Sequence, residues 1–305
     1  MTNFILIVLC ISVGIVMSRL RILPEGSFKS VNAWLLYVAL PALALRFVPE
    51  IEWSPQLLLP GLSPILVWAG AWLFVMLYAR KREVNKQTQT ALLVACGLGN
   101  TSFLGFPLIS AYYGEDQIHH AIVFDQVTFL LFSTVAVVAV LRASGIDQGR
   151  TDMGYILRKV LCFPPFIACL VALVFSRWID FSPAFPLLDK FVATLSPLAL
   201  FSIGLQLKLS DWKKEQKHLY WGLFYKLLLA PLFVFLFLWL MNGTGNLAKI
   251  TVFEASMPSH ITASLLASQY NMNPKLCSLM VGFGIIGGFL TTLIWWLVGE
   301  YFFVG

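Results

Sequence analysis

Gly97-Leu-Gly-Asn100-Thr-Ser-Phe-Leu-Gly105-Phe-Pro107 interrupts an apolar run, 88–113, that is otherwise long enough to cross a bilayer. These residues include three glycines, one proline and three side chains with an amide or a hydroxyl. Glycine and proline disrupt the hydrogen-bond ladder of a helix, and exposed backbone persists at membrane depth only where protein or a water-filled cavity satisfies it. The stretch therefore predicts a helix broken inside the membrane, with an ordinary proline kink as the alternative.

A second apolar run, 247–271, carries a similar interruption formed by Pro258, Ser259, His260 and Thr262. A helix that restarts after such a break presents unpaired N–H groups and a partial positive charge. This arrangement suits an anion such as a carboxylate. The two interruptions together predict one anion site, formed where both breaks lie near the middle of the membrane.

The composition places the whole chain in the membrane. Of its 305 residues, 59% are hydrophobic and only 12% are charged, whereas a soluble domain has about 25% charged residues. This excludes a soluble enzyme, a disordered tail and a nucleic-acid-binding protein. The five cysteines are odd in number and lie in or beside apolar runs without zinc-ligand spacing, so no disulfide framework, metal or cofactor is expected.

Cutting the chain at its polar clusters predicts an all-α polytopic membrane protein with ten spans and short loops. Most of the 21 basic residues lie in the loops that follow spans one, three, five, seven and nine. Because Lys and Arg accumulate in cytoplasmic loops, both termini are expected on the extracytoplasmic side. The predicted spans are 3–21, 30–48, 57–79, 88–113, 117–141, 155–176, 186–207, 217–241, 247–271 and 275–303.

The two halves of the chain resemble each other weakly. The interrupted spans end similarly, in Leu108-Ile-Ser110-Ala-Tyr112 and Leu266-Ala-Ser268-Gln-Tyr270, and Pro41-Ala-Leu-Ala-Leu resembles Pro197-Leu-Ala-Leu. Chance similarity is the alternative, since Leu, Ala and Pro are common in membrane helices. If the repeat is real, five spans per half make the second copy inverted, an architecture of transporters that hold substrate near the midplane.

Several motifs, in their order and spacing, resemble the auxin efflux carrier family, the PIN-like transporters of plants and their compact bacterial relatives. The resemblance covers essentially the whole chain. The motifs are the stretch from Gly97 to Leu108, Tyr113-Gly-Glu115, Ala255-Ser-Met-Pro258, Ser268-Gln-Tyr-Asn271-Met-Asn-Pro274, Leu40-Pro41-Ala-Leu and Lys226-Leu-Leu-Leu-Ala-Pro231.

The resemblance implies two inverted five-helix repeats, 1–142 and 155–305, joined by a short cytoplasmic linker, 143–154, with broken helices four and nine that cross. It implies a scaffold of helices 1, 2, 6 and 7, a moving transport domain of helices 3–5 and 8–10, and elevator-type transport of an auxin-like or malate-like anion. A homodimer through the scaffold and a bacterial inner-membrane location are further expectations, as are contacts with the lipid bilayer. The sequence departs from plant members in its short linker and in Ala263, which stands where plant members tend to have a second proline.

The substrate and coupling residues are predicted from the breaks and from charges at membrane depth, which are costly and therefore functional candidates. Asp125 and Glu254 are candidates for proton or ion coupling, although Asp125 could instead pair with Lys226 and Glu254 could face a polar crevice. Lys226 could neutralise a carboxylate or extend to the cytoplasmic interface, and His260 could bind the anion or cap a helix. The predicted substrate-binding residues are Asn100, Thr101, Gly105, Pro107, Lys226, Pro258, Ser259 and His260.

Three functions compete. The leading hypothesis is a secondary carrier of a small organic anion, and the second is a sodium- or proton-coupled symporter or antiporter of the same fold class. A membrane receptor that does not transport is the third, since a fold does not determine function. An intramembrane enzyme is not expected, because the sequence lacks zinc-protease and nucleophile-elbow motifs and paired aspartates within spans.

Overall fold

A computed structural model describes residues 2–50, 54–144, 154, 161–162, 164–176, 178–206, 212–261, 266 and 270–303. Within these ranges the chain is helical and has no β-strand, apart from one isolated bridge. The α-helices are α1 Thr2–Arg19, α2 Phe28–Trp34, α3 Leu40–Phe47, α4 Leu58–Arg82, α5 Lys86–Gly97, α6 Phe106–Tyr112, α7 His119–Leu131, α8 Val137–Ser144, α9 Pro164–Phe175, α10 Phe185–Val192, α11 Leu195–Gln206, α12 Gln216–Phe224, α13 Ala230–Leu240, α14 Gly245–Ala255 and α15 Pro274–Phe302.

Six continuous helical stretches in the described part of the chain are long and apolar enough to cross a membrane. Two shorter apolar helices, Ile5–Arg19 and Pro164–Phe175, match the first and sixth predicted spans. The predicted linker 143–154 and the start of the sixth span lie largely outside the described residues, as does most of 262–269 in the ninth. The six stretches are Phe28–Phe47, Pro55–Arg82, Glu115–Ser144, Ser182–Gln206, Gln216–Leu240 and Pro274–Phe302.

A π-helical turn precedes a proline in two of these spans. Leu35–Ala39 comes just before Leu40-Pro41, and Tyr225–Leu229 comes just before Ala230-Pro231. Proline has no N–H to donate to the carbonyl four residues back, which for Pro231 is the carbonyl of Leu227. The indole Nε1 of Trp295 donates to that carbonyl oxygen at 3.0 Å. The side chain of another helix thus replaces the bond that the proline removes.

The chain divides into two compact units. The first comprises Met1–Trp53, Ser102–Ile122 and Arg158–Leu207, and the second comprises Ser54–Thr101, Val123–Leu157 and Lys208–Gly305. In the described residues, the first unit contains the helices of predicted spans one, two, six and seven, together with the segment 102–122. The boundary at Thr101 falls within the interrupted fourth span.

Glycine allows the closest helix packing in the first unit. A Cβ atom on Gly14 of α1 would lie 2.4 Å from the carbonyl oxygen of Phe201, and one on Gly204 of α11 would lie 2.3 Å from that of Ile11. The two backbones therefore meet at a distance that only glycine permits, as is common between membrane helices.

The second unit packs around buried aromatic side chains. The phenol of Tyr225 donates to the carbonyl oxygen of Val67 at 2.6 Å. A Cβ atom on Gly97, at the end of α5, would lie 2.4 Å from the indole of Trp68. This contact helps to explain why α5 ends in glycine at the point where the chain unwinds.

Candidate functional site

Both predicted interruptions are present, and the parts of them that lie in the second unit pair with each other through their backbones. Helix α5 ends at Gly97 and α14 ends at Ala255. We call the non-helical segments that follow, 98–100 and 256–260, the paired breaks. The N–H of Asn100 donates to the oxygen of Pro258 at 2.8 Å, and the N–H of His260 donates to that of Leu98 at 3.1 Å.

This pairing forms a short antiparallel bridge between Gly99 and Ser259. Backbone groups without an intrahelical partner are costly in a membrane interior, so each break satisfies groups that the other leaves open. Predicted site residue Pro258 contributes its carbonyl, which accepts the bond from Asn100. The bridge holds the side chains on either side of it in a defined arrangement.

Two polar side chains at the paired breaks have no partner among the described residues. Both amide atoms of Asn100 and the hydroxyl oxygen of Ser259 are fully buried and make no hydrogen bond there. Buried polar side chains are hydrogen-bonded in the large majority of cases, and each exception calls for an explanation. A bound polar molecule would provide the missing partners.

Lys226 brings a positive charge to the same place. Its side chain is 1% exposed, and its Nζ donates to the carbonyl oxygen of Ala255 at 3.2 Å. A Cβ atom on Gly99 would lie 3.3 Å from this Nζ. This buried position argues against the alternative in which the ammonium extends to the cytoplasmic interface.

Two buried acidic side chains belong to this unit. Asp125 is 5% exposed and accepts a hydrogen bond from the hydroxyl of Thr101 at 2.5 Å. Glu254 is fully buried, and neither carboxyl oxygen has a hydrogen-bond partner in the described part of the chain. Thr101, which we predicted to bind substrate, thus donates its hydroxyl hydrogen to Asp125, a predicted coupling residue.

The imidazole of His260 stacks on Phe132 with ring centroids 5.7 Å apart and an angle of 12° between the planes. Its backbone N–H is the group that donates to Leu98. His260 therefore combines a structural backbone role with a ring at the edge of the paired breaks.

Gly105 and Pro107 belong to the first unit. Gly105 ends the π-helical segment Thr101–Gly105, and Pro107 is the second residue of α6, which continues directly from that segment. Pro107 lines a cavity of about 690 Å³ within this unit.

The same cavity contains an ion pair that our sequence analysis missed. Arg46 Nε lies 2.8 Å from Asp189 Oδ1, and the guanidinium carbon lies 4.2 Å from the ring centre of Phe185. The two charged residues are 143 positions apart. In the sequence, Arg46 and Asp189 are both charged residues near the end of a predicted span. Many residues share that feature, so it does not predict that these two form a pair.

Comparison with known proteins gives matches over nearly the whole chain. A family described as "Membrane transport protein" matches residues 1–296. A protein of Methanothermobacter thermautotrophicus named "Uncharacterized transporter" is 25% identical over 96% of both chains. A "Putative malonate transporter" of Rhizobium meliloti is 26% identical over 86% of this chain and 84% of its own. "Auxin efflux carrier component 8" of Arabidopsis thaliana is 21% identical over 92% of this chain and 91% of its own.

Proposed function

The chain belongs to the membrane transport protein family, which includes the auxin efflux carriers, and from this premise we propose that it is a secondary carrier of a small organic anion. Members of this family are integral membrane transporters and not enzymes. The observation that carries the proposal is that the Asn100 amide and the Ser259 hydroxyl, at the paired breaks, are fully buried and have no hydrogen-bond partner in the part of the chain that the structure describes. These groups are available to donate hydrogen bonds to a carboxylate.

The substrate class follows from the charge and polarity of these groups together with the relatives. Malonate and auxin, named in two relatives, both carry a carboxylate at neutral pH. Lys226 supplies a nearby positive charge, and the amide of Asn100 offers two donors. A malonate-like or malate-like carboxylate therefore matches the hydrogen-bond donors and the ammonium at this site.

We place the coupling proton on Glu254. With both acids ionised, Lys226, Asp125 and Glu254 have a net charge of about −1 at ordinary protonation states, which opposes an incoming anion. Thr101 donates to Asp125, whereas the carboxyl of Glu254 has no donor within the described ranges. A proton on Glu254 would neutralise the group and favour anion binding, so Glu254→Gln should transport without responding to an imposed pH gradient.

The architecture of the proposed carrier follows the sequence analysis. Six candidate spans, two shorter apolar helices and two interrupted runs support ten spans in two inverted repeats. The division of the chain into two compact units supports elevator-type movement of a transport domain against a scaffold of spans one, two, six and seven. A homodimer through that scaffold, a bacterial inner-membrane location and extracytoplasmic termini complete the proposal.

The test is counterflow of radiolabelled malonate in proteoliposomes. Hydrogen bonds to charged groups contribute about 1.5–3 kcal/mol, so Asn100→Ala should lower transport by roughly tenfold to a hundredfold. Thr251→Val is the matched control, because this buried hydroxyl donates to Leu247 in its own helix and should be dispensable for transport. Equal transport by Asn100→Ala and the control would remove Asn100 from the site, and no counterflow of any carboxylate by the native protein would refute the carrier.

A further inference from the structure

The C-terminal end of α14 lies buried in the second unit and needs donors for its last carbonyls. The N–H of Ser256 approaches the carbonyls of Val252 and Phe253, and the N–H of Met257 donates to that of Glu254 at 3.1 Å. Ala255 is the last residue of the helix, and its oxygen accepts from the Lys226 ammonium. A cation here also complements the negative end of the helix dipole.

Several oxygen atoms of the paired breaks and of the end of α14 belong to residues at or next to this position. Besides the carbonyl of Ala255, the carbonyl oxygen of Glu254 is close, since a Cβ atom on Gly99 would lie 3.7 Å from that oxygen and 3.3 Å from Lys226 Nζ. The Glu254 carboxyl, the side-chain carbonyl of Asn100 and the Ser259 hydroxyl are buried and have no hydrogen-bond partner among the described residues. A cluster of oxygens at the unwound end of a half-helix is the environment in which other carriers coordinate a sodium ion.

The Lys226 side chain brings a cation to this position by a covalent tether. An ammonium is a compact charge with three donors, so it can bond to helix-end carbonyls much as a monovalent metal ion does. A tethered cation does not dissociate into either compartment, so an ion gradient cannot act through it.

We propose that the Lys226 ammonium is a resident cation that replaces a coupling sodium ion at the end of α14, so that transport is independent of sodium. This inference rests on the proposed carrier function, because it states what the carrier does not require. It also predicts that removing the ammonium while leaving its space exposes a sodium site that the native protein lacks.

The experiment compares two substitutions of one residue. Lys226→Ala removes the charge and leaves space, whereas Lys226→Met removes the charge but fills most of the space. Thermal unfolding of each purified protein is measured in sodium chloride, potassium chloride and choline chloride at equal ionic strength. We expect sodium alone to raise the Tm of Lys226→Ala by roughly 3 °C at about ten times its dissociation constant. The Tm of the native protein and of Lys226→Met should not respond specifically to sodium.

A sodium-specific rise in the Tm of the native protein, or loss of its malonate counterflow when choline replaces sodium, would overturn the inference. An equal response of Lys226→Ala and Lys226→Met, both folded, would also overturn it. If Lys226→Ala does not fold, the Tm and the malonate counterflow of the native protein provide the test. Independence of both from sodium would support the inference, and dependence of either on sodium would refute it. The Tm measurement uses no organic anion, so its failure is distinguishable from failure of the proposed carrier function.

Discussion

Two serines three residues apart allow the buried, unpartnered groups to be tested against a partnered control. Ser259 and Ser256 are both fully buried in the same break. The hydroxyl of Ser256 donates to the carbonyl oxygen of Phe253 at 2.6 Å, whereas that of Ser259 has no partner among the described residues. Replacing each serine with alanine removes the same single oxygen atom.

The two substitutions should change stability in opposite directions. Burial of a hydroxyl without a hydrogen bond costs about 1–3 kcal/mol by protein mutational data, so Ser259→Ala should stabilise the ligand-free protein, by about 1 kcal/mol after a small loss of packing. A typical intramolecular hydrogen bond contributes about 0.5–1.5 kcal/mol, so Ser256→Ala should destabilise the protein by about that amount. The expected difference between the variants is therefore about 2 kcal/mol.

The assay is thermal unfolding of the purified protein in detergent, with and without malonate. Ser259→Ala should have the higher Tm without ligand and the smaller rise in Tm on adding malonate, because it lacks a group that binds the anion. Ser256→Ala should have the lower Tm without ligand and the larger rise in Tm on adding malonate. If Ser259→Ala lowers the Tm of the ligand-free protein as much as Ser256→Ala does, or keeps the full response to malonate, then the Ser259 hydroxyl is structural and the reasoning is wrong.

Three further substitutions test individual contacts within the two units. Gly204→Ala brings a Cβ atom to 2.3 Å from the carbonyl oxygen of Ile11 and should lower stability by about 1–3 kcal/mol. A lower Tm would confirm this, whereas an unchanged Tm would show that α1 and α11 can move apart without cost. Trp295→Phe leaves the Leu227 carbonyl without its indole donor and should cost about 1–3 kcal/mol, and a neutral result in denaturant titration would contradict that role. Asp189→Asn should cost less than about 1 kcal/mol, because the aspartate side chain is 54% exposed, and a larger loss of stability would mean that the ion pair is more than a surface contact.

The interruptions were predictable because their cause is local. Proline lacks a backbone donor, and glycine next to small polar residues weakens a helix wherever it occurs, so residues 97–107 and Pro258 marked the breaks before any tertiary contact was known. Asn100 was expected at the site on the same grounds, and the structure places its amide, without a partner among the described residues, at the pairing of the two breaks.

Contacts between distant segments could not be predicted in this way. The ammonium of Lys226 donates to the carbonyl oxygen of Ala255, which is 29 positions away in the sequence. Whether the ammonium makes this contact or extends to the cytoplasmic interface depends on helix packing, which local sequence patterns do not encode. The ion pair of Arg46 and Asp189 was missed for the same reason. Thr101 was assigned to substrate by its position, whereas its partner Asp125 comes from another helix.

The most direct test of the account is an experimental structure determined with bound malonate. We expect density for the anion within hydrogen-bonding distance of the Asn100 amide and the Ser259 hydroxyl at the paired breaks. Density for malonate only in the cavity of the first unit, beside Arg46, would contradict it.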